Sequence, residues 1–137
     1  MKPVLTAALC LLAAPAWADE ILGTGGDVVE GAGLYTAYCA TCHGDNARGA
    51  GRMAAILTIL PPDLTRLAAD NDGVFPVTRV VRQIDGRDPL LAHGGVMPLF
   101  GDFFQGAGVA VAAETGQPIM TSQPIADVAA WLESVQE

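Results

Sequence analysis

Three segments of this 137-residue chain place apolar residues with the period of a helix. Behind Asp27, which can cap a helix, Val28, Leu34, Tyr35 and Tyr38 form an apolar stripe, so a helix is expected from Asp27 to Tyr38. Gly31 and Gly33 interrupt it, each at a cost of up to about 1 kcal/mol in helix propensity. A glycine kept inside a helix points to another backbone approaching closely there. Pro76 opens a second helix through Ile84, with Val77, Val80, Val81 and Ile84 as its buried face. The third runs from Ile125 to Val135, where Ile125, Val128, Ala129, Leu132 and Val135 follow the i, i+3, i+4, i+7 rule beside Trp131. Ser122 or Thr121 can cap it, with Pro124 near its first turn.

The segments between read as turns and loops. Asp45 to Gly51 is polar and glycine-rich. Pro61-Pro62-Asp63-Leu64 is a turn, with Asp63 placed to cap a short helix through Leu67 and Ala69. Asn71 to Phe75 is another turn. From Phe103 to Thr121 the apolar run Val109–Ala113 lies between glycines, and a short helix or a covering loop is expected. The fold class is therefore all-α.

Residues 1–18 have the three parts of a secretory signal: Lys2, an apolar run from Val4 to Ala14, and Ala16-Trp17-Ala18 before Asp19. The run is too short to span a bilayer, and Leu9 before Cys10 does not suit a lipoprotein site. Cleavage after Ala18 removes 18 of 137 residues and leaves one domain, residues 19–137, with no stable membrane anchor and a periplasmic location. It also removes Cys10, so Cys39 and Cys42 are the cysteines of the mature chain.

Charge bears on partners. The chain is −8 overall, and −9 once Lys2 is removed. All six arginines lie between Arg48 and Arg87 with four aspartates, so that stretch is +2 and the flanks are −11. Such a protein does not favour nucleic acid or anionic lipid. A redox partner would dock at the arginine-bearing middle or carry positive charge itself.

The chemistry concentrates in Cys39-Ala40-Thr41-Cys42-His43. This C-x-x-C-H spacing reads as a c-type haem attachment site. Two thiols three residues apart share a face of a helical turn, where each can add to one vinyl group of a porphyrin. The following His43 then comes under the iron as proximal ligand. A structural zinc site would want four N/S ligands, and a thioredoxin-type pair would want strand–helix alternation. Neither context is present around these residues.

Gly31, Tyr35 and Cys39-x-x-Cys42-His43-Gly44 together resemble the start of bacterial class I cytochromes c. The resemblance implies that Gly31 packs against an aromatic of the C-terminal helix, Trp131 being the match. It also implies that a proline carbonyl, from Pro61 or Pro62, accepts the proton of the second nitrogen of His43 and fixes its tautomer. Met97-Pro98-Leu99-Phe100-Gly101 resembles the distal segment of the family. It implies Met97 as distal ligand, held out by the extended backbone that Pro98 imposes, with Phe100 over the haem edge. His93 is the competing distal ligand; Met53 and Met120 are expected as gap-filling core residues. Arg52, Arg66, Arg79 and Arg82 are candidates to pair with haem propionates.

The expectation is an all-α cytochrome c fold around one covalently bound haem c. Its function would be periplasmic one-electron transfer, free or as the acceptor subunit of a dehydrogenase, with a dehydrogenase, oxidase or reductase as partner. It would not be an enzyme in its own right. The alternative is a haem protein with a labile distal site that binds a small gas or reacts with peroxide.

Overall fold

Asp27 starts the first helix as its chemistry requires. Its Oδ1 accepts the amides of Val29 and Glu30 at 2.8 and 3.1 Å, satisfying donors that the first turn leaves free. In the computed structural model, which describes residues 25–86 and 97–137, that helix is α1 (Val28–Tyr38). The leader and His93 lie outside the described residues. A single residue, Cys39, separates α1 from the one-turn helix α2 (Ala40–His43). After a long loop come α3 (Val77–Asp85), strands β1 (Gly108–Ala112) and β2 (Pro118–Ser122), and α4 (Gln123–Ser134).

The pairing of α1 with α4 is the principal helix contact. A Cβ on Gly31 would collide with the carbonyl of Asp127 on α4, and would stand 3.0 Å from the Cβ of Trp131. Glycine therefore sets how closely the helices cross. Trp131 does flank Gly31, but its ring packs on Tyr35 at a tilt of 34°, with centroids 4.1 Å apart. Asp127 is buried, and its Oδ1 accepts the Asp27 amide at 2.7 Å and Gln123 Nε2 at 2.7 Å. On α1 the buried positions are Gly31 and Tyr35, whereas Val28 and Tyr38 are exposed. The predicted stripe is narrower than expected because α4 covers a single face.

α3 buries Val77, Val80, Val81 and Ile84, as its spacing predicts. Asp63 accepts Thr65 N at 2.9 Å and Thr65 Oγ1 at 2.6 Å. The expected helix after it is instead two 3₁₀ turns, Leu64–Arg66 and Ala69–Asn71. Ser122 precedes α4, but its Oγ is buried without a partner, so a side-chain cap does not form.

The all-α expectation needs correction at residues 108–122, an antiparallel hairpin with Ala110 opposite Met120. Val111 and Thr121 are buried, and Val109 and Ile119 pack against the core. This is the two-residue alternation of a strand with one covered face. At its tip, Glu114 accepts Thr78 N at 3.1 Å and Thr78 Oγ1 at 2.7 Å, thereby capping α3, which has no side-chain cap of its own. Met120, outward on β2, is exposed, as is Met53. Neither is the core residue expected.

Candidate haem site

The pentapeptide Cys39–His43 sits where α1 ends. Cys39 N donates to Tyr35 O at 2.8 Å, and His43 N donates to Cys39 O at 2.9 Å. One continuous hydrogen-bonded turn thus carries Cys39, Cys42 and His43. Both thiols are free, Cys39 buried and Cys42 half-buried. Burial, then the neighbouring Cys42, pushes the Cys39 thiol up to about 11. Among the described residues, no group of three or more His, Cys, Asp and Glu is placed to hold a metal ion.

The next residues fold back over this turn. Gly49 N donates to His43 O at 2.7 Å, Gly51 N to Cys42 O at 3.1 Å and Met53 N to Thr41 O at 2.9 Å. A Cβ on Gly51 would run into the backbone of Thr41 and Cys42, so only glycine admits this approach. Tyr35, 1% exposed, donates its hydroxyl to Gly44 O at 2.8 Å and fixes the far end of the motif. Burial, followed by the nearby Cys39, raises the tyrosine above its ordinary range and keeps it a donor.

His43 Nδ1 is buried and makes no hydrogen bond within ordinary limits. Burial lowers its basicity, while the Pro62 carbonyl beside it favours the protonated ring without reaching good hydrogen-bond geometry. The carbonyl of Pro61 lies closest to Gly49, with that of Pro62 beside it. Of the two prolines, Pro62 is therefore the one facing the imidazole. A neutral imidazole with Nδ1 aimed at a carbonyl is the form that offers Nε2 to a metal.

Opposite elements position Met97. Phe100 N and Gly101 N donate to Ile84 O and Asp85 O, each at 3.0 Å, and clip the chain after Met97 onto the end of α3. Met97 is half-buried against the same apolar cluster that contains Cys39, Ala40 and Ala47. Gln83 on α3 donates Nε2 to Met97 Sδ at 3.9 Å, a contact that sequence reading overlooked because Gln83 lies off the buried stripe. Phe100 stacks on Phe104 at 5.2 Å and packs on the core. Of the arginines expected near propionates, Arg66 pairs with Asp70 at 3.2 Å, whereas Arg52, Arg79 and Arg82 are exposed.

A haem c fits these residues: two free thiols and an imidazole on one turn, with an orphaned buried Nδ1 beside a carbonyl. A family model described as Cytochrome c matches residues 28–136. No curated protein and no solved structure matches the chain. The matched span runs from α1 to the end of α4 and takes in the attachment pentapeptide, so this chain belongs to the cytochrome c family, whose members carry a covalently bound haem c.

Proposed function

We propose that this chain is a one-electron carrier holding one haem c, attached through Cys39 and Cys42 and ligated by His43 and Met97. The bound haem supplies an iron that cycles between ferric and ferrous states. The chain's own residues do the rest. Tyr35 and the glycine loop hold the attachment turn, the Pro62 carbonyl faces the imidazole, and the clip onto α3 presents the Met97 thioether. The observation that carries this reading is the buried, unpartnered His43 Nδ1 beside the Pro62 carbonyl. It is the arrangement a proximal histidine needs when its other nitrogen is taken by metal.

Met97 is favoured over His93 because Gln83 and the core hold its thioether. With both axial positions filled by the protein, no coordination site is left for a substrate, so the protein transfers electrons and is not itself an enzyme. The signal-like composition of residues 1–18 supports a periplasmic setting for this function, where a dehydrogenase, oxidase or reductase would exchange electrons with it, free or as a bound subunit.

The test is redox cycling of the matured protein with ascorbate and ferricyanide, followed by carbon monoxide on the reduced form. Reversible cycling without carbon monoxide binding is expected. Rapid carbon monoxide binding would overturn the reading in favour of a ligand-binding haem protein.

A further inference from the structure

Four aromatic rings join the end of α1 to the segment that carries Met97. Tyr38, the last residue of α1, meets Phe103 and Phe104 edge-on, with centroids 5.0 and 5.3 Å apart. Phe104 is buried and stacks on Phe100 at 5.2 Å. Phe103 in turn lies 5.4 Å from Phe104 and 6.3 Å from Phe100. All of these distances fall in the range of roughly 4.5–7 Å where aromatic rings attract one another.

The backbone gives the three phenylalanines a common base. Phe103 N and Phe104 N both donate to Phe100 O, at 3.0 and 2.7 Å, so one tight turn carries the three rings. That turn begins three residues after Met97. Its first residues are already clipped to the end of α3 through Ile84 O and Asp85 O. A Cβ on Gly101 would collide with Asp85, and one on Gly86 with the Leu99 side chain, so the clip is close. A clip at one place still leaves a segment free to pivot. The rings supply a second attachment, to Tyr38, the residue that directly precedes Cys39.

A thioether stays on its iron only while the segment that carries it stays in place. Local opening of such a segment is set by the contacts it makes and not by the stability of the whole domain. We infer that Tyr38 and the Phe100–Phe103–Phe104 turn are positioning residues for the distal ligand, a ring latch that ties the Met97 segment to the end of α1. This rests on the His43/Met97 reading and adds what holds Met97 in place.

The experiment titrates imidazole into ferric holo-protein and follows the far-red sulfur-to-iron band. The imidazole nitrogen takes the axial position as the Met97 sulfur leaves it, and the iron stays ferric throughout. One ring pair corresponds to roughly two- to tenfold in an equilibrium. Tyr38→Ala breaks two pairs and should bind imidazole about tenfold more tightly than wild type. Alanine is the better helix former, so α1 itself is not weakened. Tyr38→Phe keeps the ring and should match wild type. Phe103→Ala should also tighten binding. The double variant should fall short of the product of the two single effects by the shared pair, roughly two- to tenfold.

Gln136→Ala is the control for general loosening. Beyond the end of α4, the Gln136 side chain donates to Leu64 O and Leu132 O and accepts Ala68 N, away from the rings. Its loss should lower the unfolding midpoint and leave imidazole affinity unchanged. Equal affinities for Tyr38→Ala and wild type would overturn the inference, as would single effects that simply multiply in the double variant. So would a Tyr38→Phe variant that behaves like Tyr38→Ala, which would assign the effect to the hydroxyl. A Gln136→Ala variant that gains affinity to the same degree would overturn it too. If Tyr38→Ala does not mature, Phe103→Ala against Gln136→Ala makes the same comparison. A wild type without the far-red band would instead sink the His43/Met97 ligation, and this inference with it.

Discussion

Replacing Gly31 by alanine tests the helix crossing on which the site is built. Alanine improves helix propensity by up to about 1 kcal/mol. Its Cβ, however, would collide with Asp127 O, where ordinary contact begins at 3.4 Å, so α1 and α4 must part. Two interactions span that crossing. The Asp27 amide bond to the Asp127 carboxylate, 2.7 Å long, is worth about 1.5–3 kcal/mol as a hydrogen bond to a charged group. The tilted Tyr35–Trp131 ring pair contributes about 0.5–1.5 kcal/mol beyond its buried area. Weakening both outweighs the propensity gain and leaves a net loss of about 1–3 kcal/mol. Gly33, two residues along the same helix, is the control: a Cβ there meets nothing within 4 Å. Gly33→Ala should stabilise by about 0.5–1 kcal/mol. Denaturant unfolding of the holo-protein, followed by far-ultraviolet circular dichroism, measures both. A Gly31→Ala variant as stable as Gly33→Ala would refute the close-crossing argument.

Further outcomes follow from the clamp and the distal side. Burial opposes ionisation of Glu114, but the Thr78 hydroxyl, the Glu114 and Thr78 amides and the Arg79 charge together hold the carboxyl below its ordinary 4.5. A depressed carboxyl contributes stability that is present above 4.5 and lost as pH falls below it. Glu114→Gln should therefore flatten the acid limb of the unfolding midpoint against pH, and an unchanged limb would count against the clamp. On the proposed ligation, Gln83→Leu removes a donor from the Met97 sulfur and would leave the thioether a better donor to ferric iron. The potential should drop by on the order of 30 mV, a tenfold change being 59 mV for one electron. Voltammetry showing no drop would deny the contact a role.

The chemistry of the site was more legible in the sequence than the fold around it. Cys39, Cys42 and His43 fall within five residues of one turn, so local spacing alone brings them together. The stripe of α3 was equally readable because that helix buries one face, whereas α4 buries every residue from Ile125 to Ala130 and so more than its predicted stripe. The hairpin was not. Val109-Ala110-Val111 alternates, but alanine is apolar enough to disguise the two-residue period as a continuous run. Gln83 and Asp127 escaped notice because a polar residue's role depends on what faces it, here Met97 and the amide of Asp27. Met53 and Met120 were misplaced because a methionine carries no sequence mark of which side it faces. That Ile56, Ile59 and Leu60 are exposed shows only in the structure, since aliphatic residues in a loop read equally well as core.

The ferric optical spectrum of the matured protein tests the central claim most directly. Low-spin haem with a weak far-red sulfur-to-iron band, present in wild type and absent in Met97→Ala, is the predicted result. A high-spin spectrum, or a low-spin spectrum that lacks the band in wild type, would contradict ligation by His43 and Met97.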